Sequence, residues 1–267
     1  MSGTYYDGTA RNYSYLYDRS MYTSMWVAYP LYASTFEGTS PHSGSWAAAT
    51  GNGFGTGNSN GYQINVWSAS YNVFVGETDY SETVNDNSGR DFYARGHQIP
   101  DADRQYNSTM VQQTYYGINS TPQIQNGFNG GIWQTLEGAV RTEAGKVDTL
   151  YVATGAAFDR ADVSGDESIT WITPKGDPGK TCPVPNYYWK VLLKVVRGSD
   201  GKVSDACAIG FWMPHISYGN VNYAAYAVSV NEIEAHTDLD LFANLPDAIE
   251  ETVEANISWQ TFQNFAQ

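Results

Sequence analysis

Runs of apolar or alternating residues, each bounded by turn-forming residues, predict β-strands along much of the chain. They fall at residues 25–33, 61–67, 148–158, 186–196 and 206–214. A stretch rich in glycine and asparagine, residues 50–61, separates the first two runs and has the composition of a surface loop. It does not end in the Lys-Ser or Lys-Thr pair of a phosphate-binding loop, so no nucleotide site is predicted there.

A helical period appears in residues 132–145, where Ile132, Leu136 and Val140 recur every four residues and Gly145 marks the expected end. The tail after residue 229 mixes short helical pieces with a Leu-Pro stop. Neither a fixed-period repeat nor a linker divides the chain, which predicts one domain over residues 1–267. The predicted fold class is α+β, a central and largely antiparallel sheet with helices packed on it.

The predicted helix carries a second stripe at steps of four, made of Asn129, Trp133, Glu137 and Arg141. Residues with this spacing share one face, so an amide oxygen, a carboxylate and a guanidinium would lie along it. Periodicity alone favours a capping asparagine and a surface Glu-Arg pair. A catalytic face is the alternative, and it needs a histidine opposite the helix.

Composition narrows the classes of function. The net charge of −14 excludes a protein that holds nucleic acid through a broad basic surface. It leaves open an enzyme that engages one phosphodiester through a metal ion and a few local arginines. No run of 18 or more apolar residues occurs, so no membrane span is predicted. The two cysteines, Cys182 and Cys207, fit either one disulfide or two buried thiols.

The stretch YARGHQIPDADR, residues 93–104, contains one of only four histidines in the chain. From Ala94 onward it resembles the signature of the DNA/RNA non-specific endonucleases, the sugar-non-specific ββα-metal nucleases, which usually reads Asp-Arg-Gly-His before a stretch rich in Pro, Ala and Asp. Residues 118–141, INSTPQIQNGFNGGIWQTLEGAVR, resemble the second block of that family. Flanking segments in the same order extend the resemblance from about residue 11 to about residue 250.

The resemblance implies a ββα-metal motif and hydrolysis of phosphodiester bonds in DNA and RNA. His97 would be the general base that deprotonates the attacking water, a role that suits a side chain titrating near neutral pH. Asn129 would be the direct protein ligand of one divalent cation, Mg²⁺ in first place with Mn²⁺ or Ca²⁺ as alternatives. Glu137 would hold a metal-bound water, and the cation would stabilise the phosphate and the leaving oxygen.

The family pattern also implies supporting roles. Arg95 and Arg141 would clamp the phosphate, because a guanidinium can hold two oxygens at once. Asn119 would be a supporting amide, and a turn-forming asparagine before Thr-Pro is the equal alternative. Ala94 replaces the aspartate of the usual signature. That position lies beside the reacting centre, so we expect activity to survive, with a catalytically inactive relative as the alternative.

A different class of function also fits the composition. The many tyrosines, tryptophans and asparagines suit an exported carbohydrate- or surface-binding β-rich protein, which would need a row of exposed aromatic side chains on one sheet face. No leader segment is visible at the N-terminus. A nuclease that does not discriminate between substrates is hazardous in its own cytoplasm. We therefore expect secretion or a periplasmic location, or else an inhibitor protein that accompanies the enzyme.

Overall fold

The computed structural model describes residues 1–38, 44–50, 93–158, 169–172 and 181–265. Its strands are β1 (Ser2–Asp7), β2 (Ala10–Asp18), β3 (Thr23–Leu31), β4 (Tyr93–His97), β5 (Ser120–Ile124), β6 (Leu150–Ala157), β7 (Trp171–Ile172), β8 (Cys182–Pro183), β9 (Tyr187–Arg197), β10 (Val203–Pro214) and β11 (Ala227–Val228). Its helices are α1 (Ala33–Phe36), α2 (Ser108–Thr114), α3 (Gln134–Ala144), α4 (Val230–Thr237), α5 (Asp247–Glu254) and α6 (Trp259–Asn264).

The largest element is a seven-stranded sheet in the order β1-β2-β3-β6-β9-β10-β11, and all neighbours in it are antiparallel. The predicted α+β class with a largely antiparallel sheet is confirmed. Four predicted strands correspond to β3, β6, β9 and β10. The predicted strand at 61–67 and nearly all of the predicted loop at 50–61 lie outside the described residues. Strands β1 and β2 were not predicted.

Both faces of the sheet are covered. In β9, Tyr188 and Leu192 belong to a core with helix α3, whereas Trp189 and Val191 belong to a second core with α4 and α5. Nine consecutive residues of β9 are therefore buried. Coverage on both faces is the reason that this strand reads as a continuous apolar run.

Helix α3 lies on the tyrosine-rich side of the sheet. Its predicted apolar stripe is confirmed, since Ile132, Leu136 and Val140 are all buried in that core. The helix ends where it was predicted to end, with the Gly145 N–H donating to the Arg141 carbonyl at 3.0 Å.

Strands β4 and β5 form a separate two-stranded antiparallel ladder. In the sequence they lie between β3 of the large sheet and α3. Among the described residues, the next one of the large sheet after Leu31 at the end of β3 is Leu150, its register partner at the start of β6. The ladder and α3 both lie between these two residues in the sequence. β4, β5 and α3 thus lie in the sequence between two strands that are neighbours in the large sheet.

Cys182 and Cys207 are both buried and form no disulfide. Of the two alternatives left open by the sequence, the structure therefore has the two buried thiols. Burial raises the pKa of each thiol, which keeps both protonated. Within the ranges described above, no helix is long and apolar enough to cross a membrane.

Candidate active site

Strand β4 presents alternate residues to opposite sides. Arg95 and His97 share one side, and the buried Ala94 and Gly96 share the other. A Cβ atom at Gly96 would lie 2.2 Å from the Cδ atom of Gln123 on β5, so only glycine fits between Arg95 and His97. Ala94 is the register partner of Gln123. The position that departs from the family signature therefore faces away from His97.

The His97 imidazole is enclosed by aromatic rings. Its centroid lies 4.8 Å from that of Trp46 and 4.9 Å from that of Tyr115. Its Nε2 atom is shielded from solvent and makes no hydrogen bond to any described residue. Burial lowers the pKa of His97 to about 4, while Asp101 opposes the shift and Arg95 adds to it. The pKa of His97 is thus well below the near-neutral value expected from the sequence, because the ring is buried, and the ring is neutral at physiological pH, the state in which it can accept a proton.

Arg95 lies beside this histidine. The Cζ atom of its guanidinium group is 5.0 Å from the centroid of the Trp46 ring. Tyr115 donates a hydrogen bond of 2.8 Å to Asp101 Oδ2, so the second ring against His97 is fixed to the acidic turn that follows β4. The structure brings Arg95 and His97 together as the sequence predicted. It adds Trp46, Tyr115 and Asp101, which sequence reasoning missed.

Asn119 is fully buried and holds the chain just beyond His97. Its Oδ1 atom accepts from the Ile99 N–H at 3.0 Å, and its Nδ2 atom donates to the carbonyls of Ile99 at 2.9 Å and Thr114 at 2.8 Å. These bonds engage both amide protons. Asn119 therefore fixes the backbone around β4, and the structure does not place it where it could touch a substrate.

The position of Asn129 differs from the prediction. Gly130 and Gly131 have non-helical backbone angles, so Asn129 does not lie on a continuous helical stripe with Glu137. The first residue before α3 is Trp133, and no side chain caps the helix. Both the four-residue register and the capping alternative are therefore wrong for Asn129. Its amide nitrogen donates to Gln125 Oε1 at 2.9 Å, which orients the side chain and leaves its oxygen as the atom suited to a cation.

Arg141 is held by a buried carboxylate and not by a surface pair with Glu137. Its Nη1 atom lies 2.9 Å from Asp103 Oδ1, where the side chains are 24% and 1% exposed respectively. Asp103 Oδ2 accepts a second hydrogen bond, 3.0 Å, from the Tyr29 hydroxyl. Burial lowers the pKa of Arg141, but Asp103, Glu137 and Tyr29 together outweigh it and leave the pKa raised. One face of the Arg141 guanidinium is therefore engaged within the protein.

Glu137 lies one helical turn from Trp133 and near Lys190 of β9. Burial raises the pKa of Glu137 and lowers that of Lys190, and each group opposes the shift of the other. Asp103 and Asp101 add to the shift of Glu137, whereas Arg141 opposes it. Two charge clusters thus meet at the turn of residues 101–104, one around His97 and one around Glu137, because Asp101 acts on both groups.

Sequence reasoning missed Asp101, Asp103 and Lys190 as parts of this region. The two aspartates follow His97 directly in the quoted motif, which was a usable signal. Lys190 also left a signal, since a lysine within an otherwise apolar strand must be paired or functional. Within the described parts of the chain, no group of three or more His, Cys, Asp or Glu side chains is arranged to hold a metal ion.

Two paired strands followed by a helix, with Arg-Gly-His at the end of the first strand, are the arrangement expected of a ββα nuclease. The model of the DNA/RNA non-specific endonuclease family matches residues 2–248. The chain belongs to this family, as its two sequence blocks predicted.

Individual relatives are distant. Nuclease C1 of Cunninghamella echinulata var. echinulata is 34% identical over 115 residues, 43% of this chain and 44% of the relative. The mitochondrial Nuclease 1 of Schizosaccharomyces pombe is 26% identical over 156 residues, 58% of this chain and 47% of the relative. These matches span about half the length of the relatives. A crystal structure of an EndoG/EndoGI complex shares the fold, with a TM-score of 0.64 at 18% identity, covering 92% of this chain and 88% of that chain.

The expectation of a secreted or periplasmic protein was wrong. The relative from Schizosaccharomyces pombe and Endonuclease G of Caenorhabditis elegans are both named as mitochondrial proteins. The danger that a non-specific nuclease poses in the cytoplasm does not by itself indicate export, because enclosure in an organelle also separates a nuclease from unintended substrates.

Proposed function

We propose that this protein is a metal-dependent endonuclease that hydrolyses phosphodiester bonds of DNA and RNA with little sequence preference. One observation carries the proposal. His97 stands at the end of β4 as a neutral imidazole with an unpaired Nε2 atom among the described residues, next to a guanidinium on the same side of the strand. Hydrolysis of a phosphodiester needs at least one group that accepts the proton of the attacking water and one positive charge that binds the phosphate. His97 and the guanidinium of Arg95 are suited to these two roles.

The residues fit a divalent cation, Mg²⁺ by preference with Mn²⁺ or Ca²⁺ as alternatives. Asn129 would hold it through its amide oxygen, because its amide nitrogen is engaged by Gln125. The described residues offer no cluster of carboxylates or imidazoles to replace the hydration shell, which suits an ion that keeps most of its waters. Glu137 would attract the hydrated ion when it is deprotonated. When bound, the ion supplies positive charge to the phosphate and the leaving oxygen.

The side chains of the protein perform the remaining steps. His97 accepts the proton of the attacking water at Nε2, for which the aromatic cover must admit that water. Arg95 contributes positive charge to the phosphate oxygens from the same side of β4. Arg141 contributes through the part of its guanidinium group that Asp103 does not engage. Asn119 supports the reaction indirectly by fixing the backbone at Ile99.

This arrangement agrees with a net charge of −14. Contacts to phosphate carry no sequence information, and an ion supplies locally the positive charge that the surface lacks. We expect weak binding and little discrimination between bases. The inhibitor named in the EndoG/EndoGI structure belongs to that protein, and a comparable inhibitor of this chain is part of the proposal.

The test is digestion of supercoiled plasmid and of total RNA with Mg²⁺ and with EDTA. We expect both substrates to be cut only with the metal, and His97→Ala to lose at least about a hundredfold in rate, as expected for removal of a general base. His236→Ala is the matched control, because His236 packs against Trp212 in the second core, away from β4. A folded wild-type protein that cuts neither substrate with Mg²⁺, Mn²⁺ or Ca²⁺ would refute the proposal and leave a nuclease fold without catalysis.

A further inference from the structure

Lys190 is a fully buried lysine on the side of the sheet that faces α3. It occupies the same face of β9 as Tyr188 and Leu192, which pack in the core with that helix. Its Nζ atom lies 4.7 Å from the centroid of the Trp133 ring. The ammonium group donates no hydrogen bond to any described residue. A cation in this setting is costly unless an anion lies close by.

Glu137 is the acidic group that acts most strongly on Lys190, although no hydrogen bond joins the two side chains. Trp133 and Glu137 are one helical turn apart, so an ammonium group over the Trp133 ring is also close to the Glu137 side chain. Among the described residues, the other charged groups that act on Glu137 are Arg141 on its own helix and Asp101 and Asp103 on the turn. Arg141 is drawn to Asp103 by a bond of 2.9 Å, and both aspartates repel the Glu137 carboxylate. Tyr29, from β3, is neutral and donates to Asp103.

We propose that Lys190 is a positioning residue for Glu137: its buried ammonium group opposes the effect of burial on the neighbouring carboxyl and favours the anionic form, which attracts a hydrated cation. The inference rests on the proposed function, because it gives the Glu137 charge a use in the reaction. Lys190 itself touches neither the substrate nor His97. Its effect passes entirely through Glu137, and this distinguishes it from a lysine that only fills space.

The same strand contains a matched control. Lys194 is also fully buried, faces the same side, and lies 4.5 Å from the centroid of the Phe262 ring. It is bonded to Glu143 Oε2 at 2.9 Å and to the Phe262 carbonyl at 2.9 Å. Those partners lie at the far end of α3 from Glu137 and on α6. Removing either lysine costs stability, but only Lys190 should affect Glu137.

The first measurement follows the Glu137 carboxyl by ¹³C NMR titration of the full chain, with Glu137→Gln used to assign its resonance. In Lys190→Met we expect the pKa of Glu137 to rise by about one to three units, the effect of losing a nearby opposite charge. Lys190→Arg should keep it close to the wild-type value, and Lys194→Met should not move it. If Lys190→Met fails to fold, Lys190→Gln replaces it.

The second measurement is plasmid cleavage with Mg²⁺ as a function of pH. Lys190→Met should move the acid limb to higher pH, whereas a structural loss would lower the rate equally at every pH. In the Glu137→Gln background the lysine substitution should add nothing further. An unchanged Glu137 titration, or rate losses that multiply in the double variant, would overturn the inference. An inactive wild-type protein would refute the proposed function, while the titration would still decide whether Lys190 controls Glu137.

Discussion

The ion pair between Asp103 and Arg141 allows a quantitative test of what holds α3 against the turn that follows β4. Asp103 is 1% exposed and accepts one hydrogen bond from Arg141 and one from Tyr29. Asp103→Asn keeps the shape of the side chain but removes its charge. The amide must also present its NH₂ group to one of two partners that both donated to the carboxylate.

The expected loss follows from the environment of the pair. Removing one partner of a fully buried ion pair costs about 3–5 kcal/mol, and a hydrogen bond to a charged group contributes about 1.5–3 kcal/mol. Arg141 retains access to solvent through 24% of its side chain, and asparagine retains one acceptor oxygen. We therefore expect Asp103→Asn to lower the free energy of unfolding by about 2–3 kcal/mol. For a chain of this size the melting temperature should fall by about 4–12 °C.

Urea unfolding monitored by tryptophan fluorescence measures this loss, with an unchanged m-value as the check that the variant unfolds in the same way. Tyr29→Phe is the matched smaller perturbation. It removes one hydrogen bond to the carboxylate and leaves the ion pair, so it should cost about 1.5 kcal/mol, the lower end of the range for a bond to a charged group. If Asp103→Asn lies within about 0.5 kcal/mol of the wild type, the pair contributes nothing and the reasoning is refuted.

Three further predictions test single residues. Ala94→Asp should change kcat/KM by less than about tenfold, because position 94 faces Gln123 and not His97, and a larger change in plasmid cleavage would mean that the face assignment is wrong. Burial lowers the pKa of His215 to about 4, so between the ordinary value of 6.5 and about 4 only the unfolded chain binds its proton and stability falls as pH falls. His215→Gln should remove up to about 1.4 kcal/mol of that loss per pH unit in urea titrations across this interval, and equal slopes in both proteins would contradict it. Gly96→Ala should lower the free energy of unfolding by about 1–3 kcal/mol in urea titrations, and adding Gln123→Ala should restore part of it. A double variant that is less stable than Gly96→Ala alone would exclude the predicted clash.

Hydrophobic patterning predicted the elements that are covered on both faces. Strands β6, β9 and β10 were visible because both sides of each are apolar, and α3 was visible because its stripe faces a single core. Strands β1 and β2 were missed for a physical reason. Their buried positions are filled by tyrosines such as Tyr13, Tyr15 and Tyr17, whose alternation is real but whose hydroxyl groups make them read as polar.

The candidate site also contains residues that could be predicted from the sequence and residues that could not. His97 and Arg95 could be predicted because the motif is local, and the glycine between them has a steric cause in Gln123. Asn129 was placed on the wrong register because periodicity ignored Gly130 and Gly131, which break the helix. The partners of Arg141 and Glu137 could not be predicted. Asp103 lies 38 residues before Arg141, and such contacts depend on how the turn, the helix and the sheet meet.

The pairing of Leu31 with Leu150 has a consequence for how the chain tolerates change. The described residues between these two, which include β4, β5 and α3, are not part of the large sheet, so one long chain segment connects two adjacent positions of that sheet. The entropy of closing a loop grows only with the logarithm of its length, by about 0.6 kcal/mol for each doubling. A change in the length of this connecting segment should therefore cost the sheet little closure entropy. The sheet is therefore a scaffold whose pairing at Leu31 and Leu150 does not depend on the length of the segment that carries β4, β5 and α3.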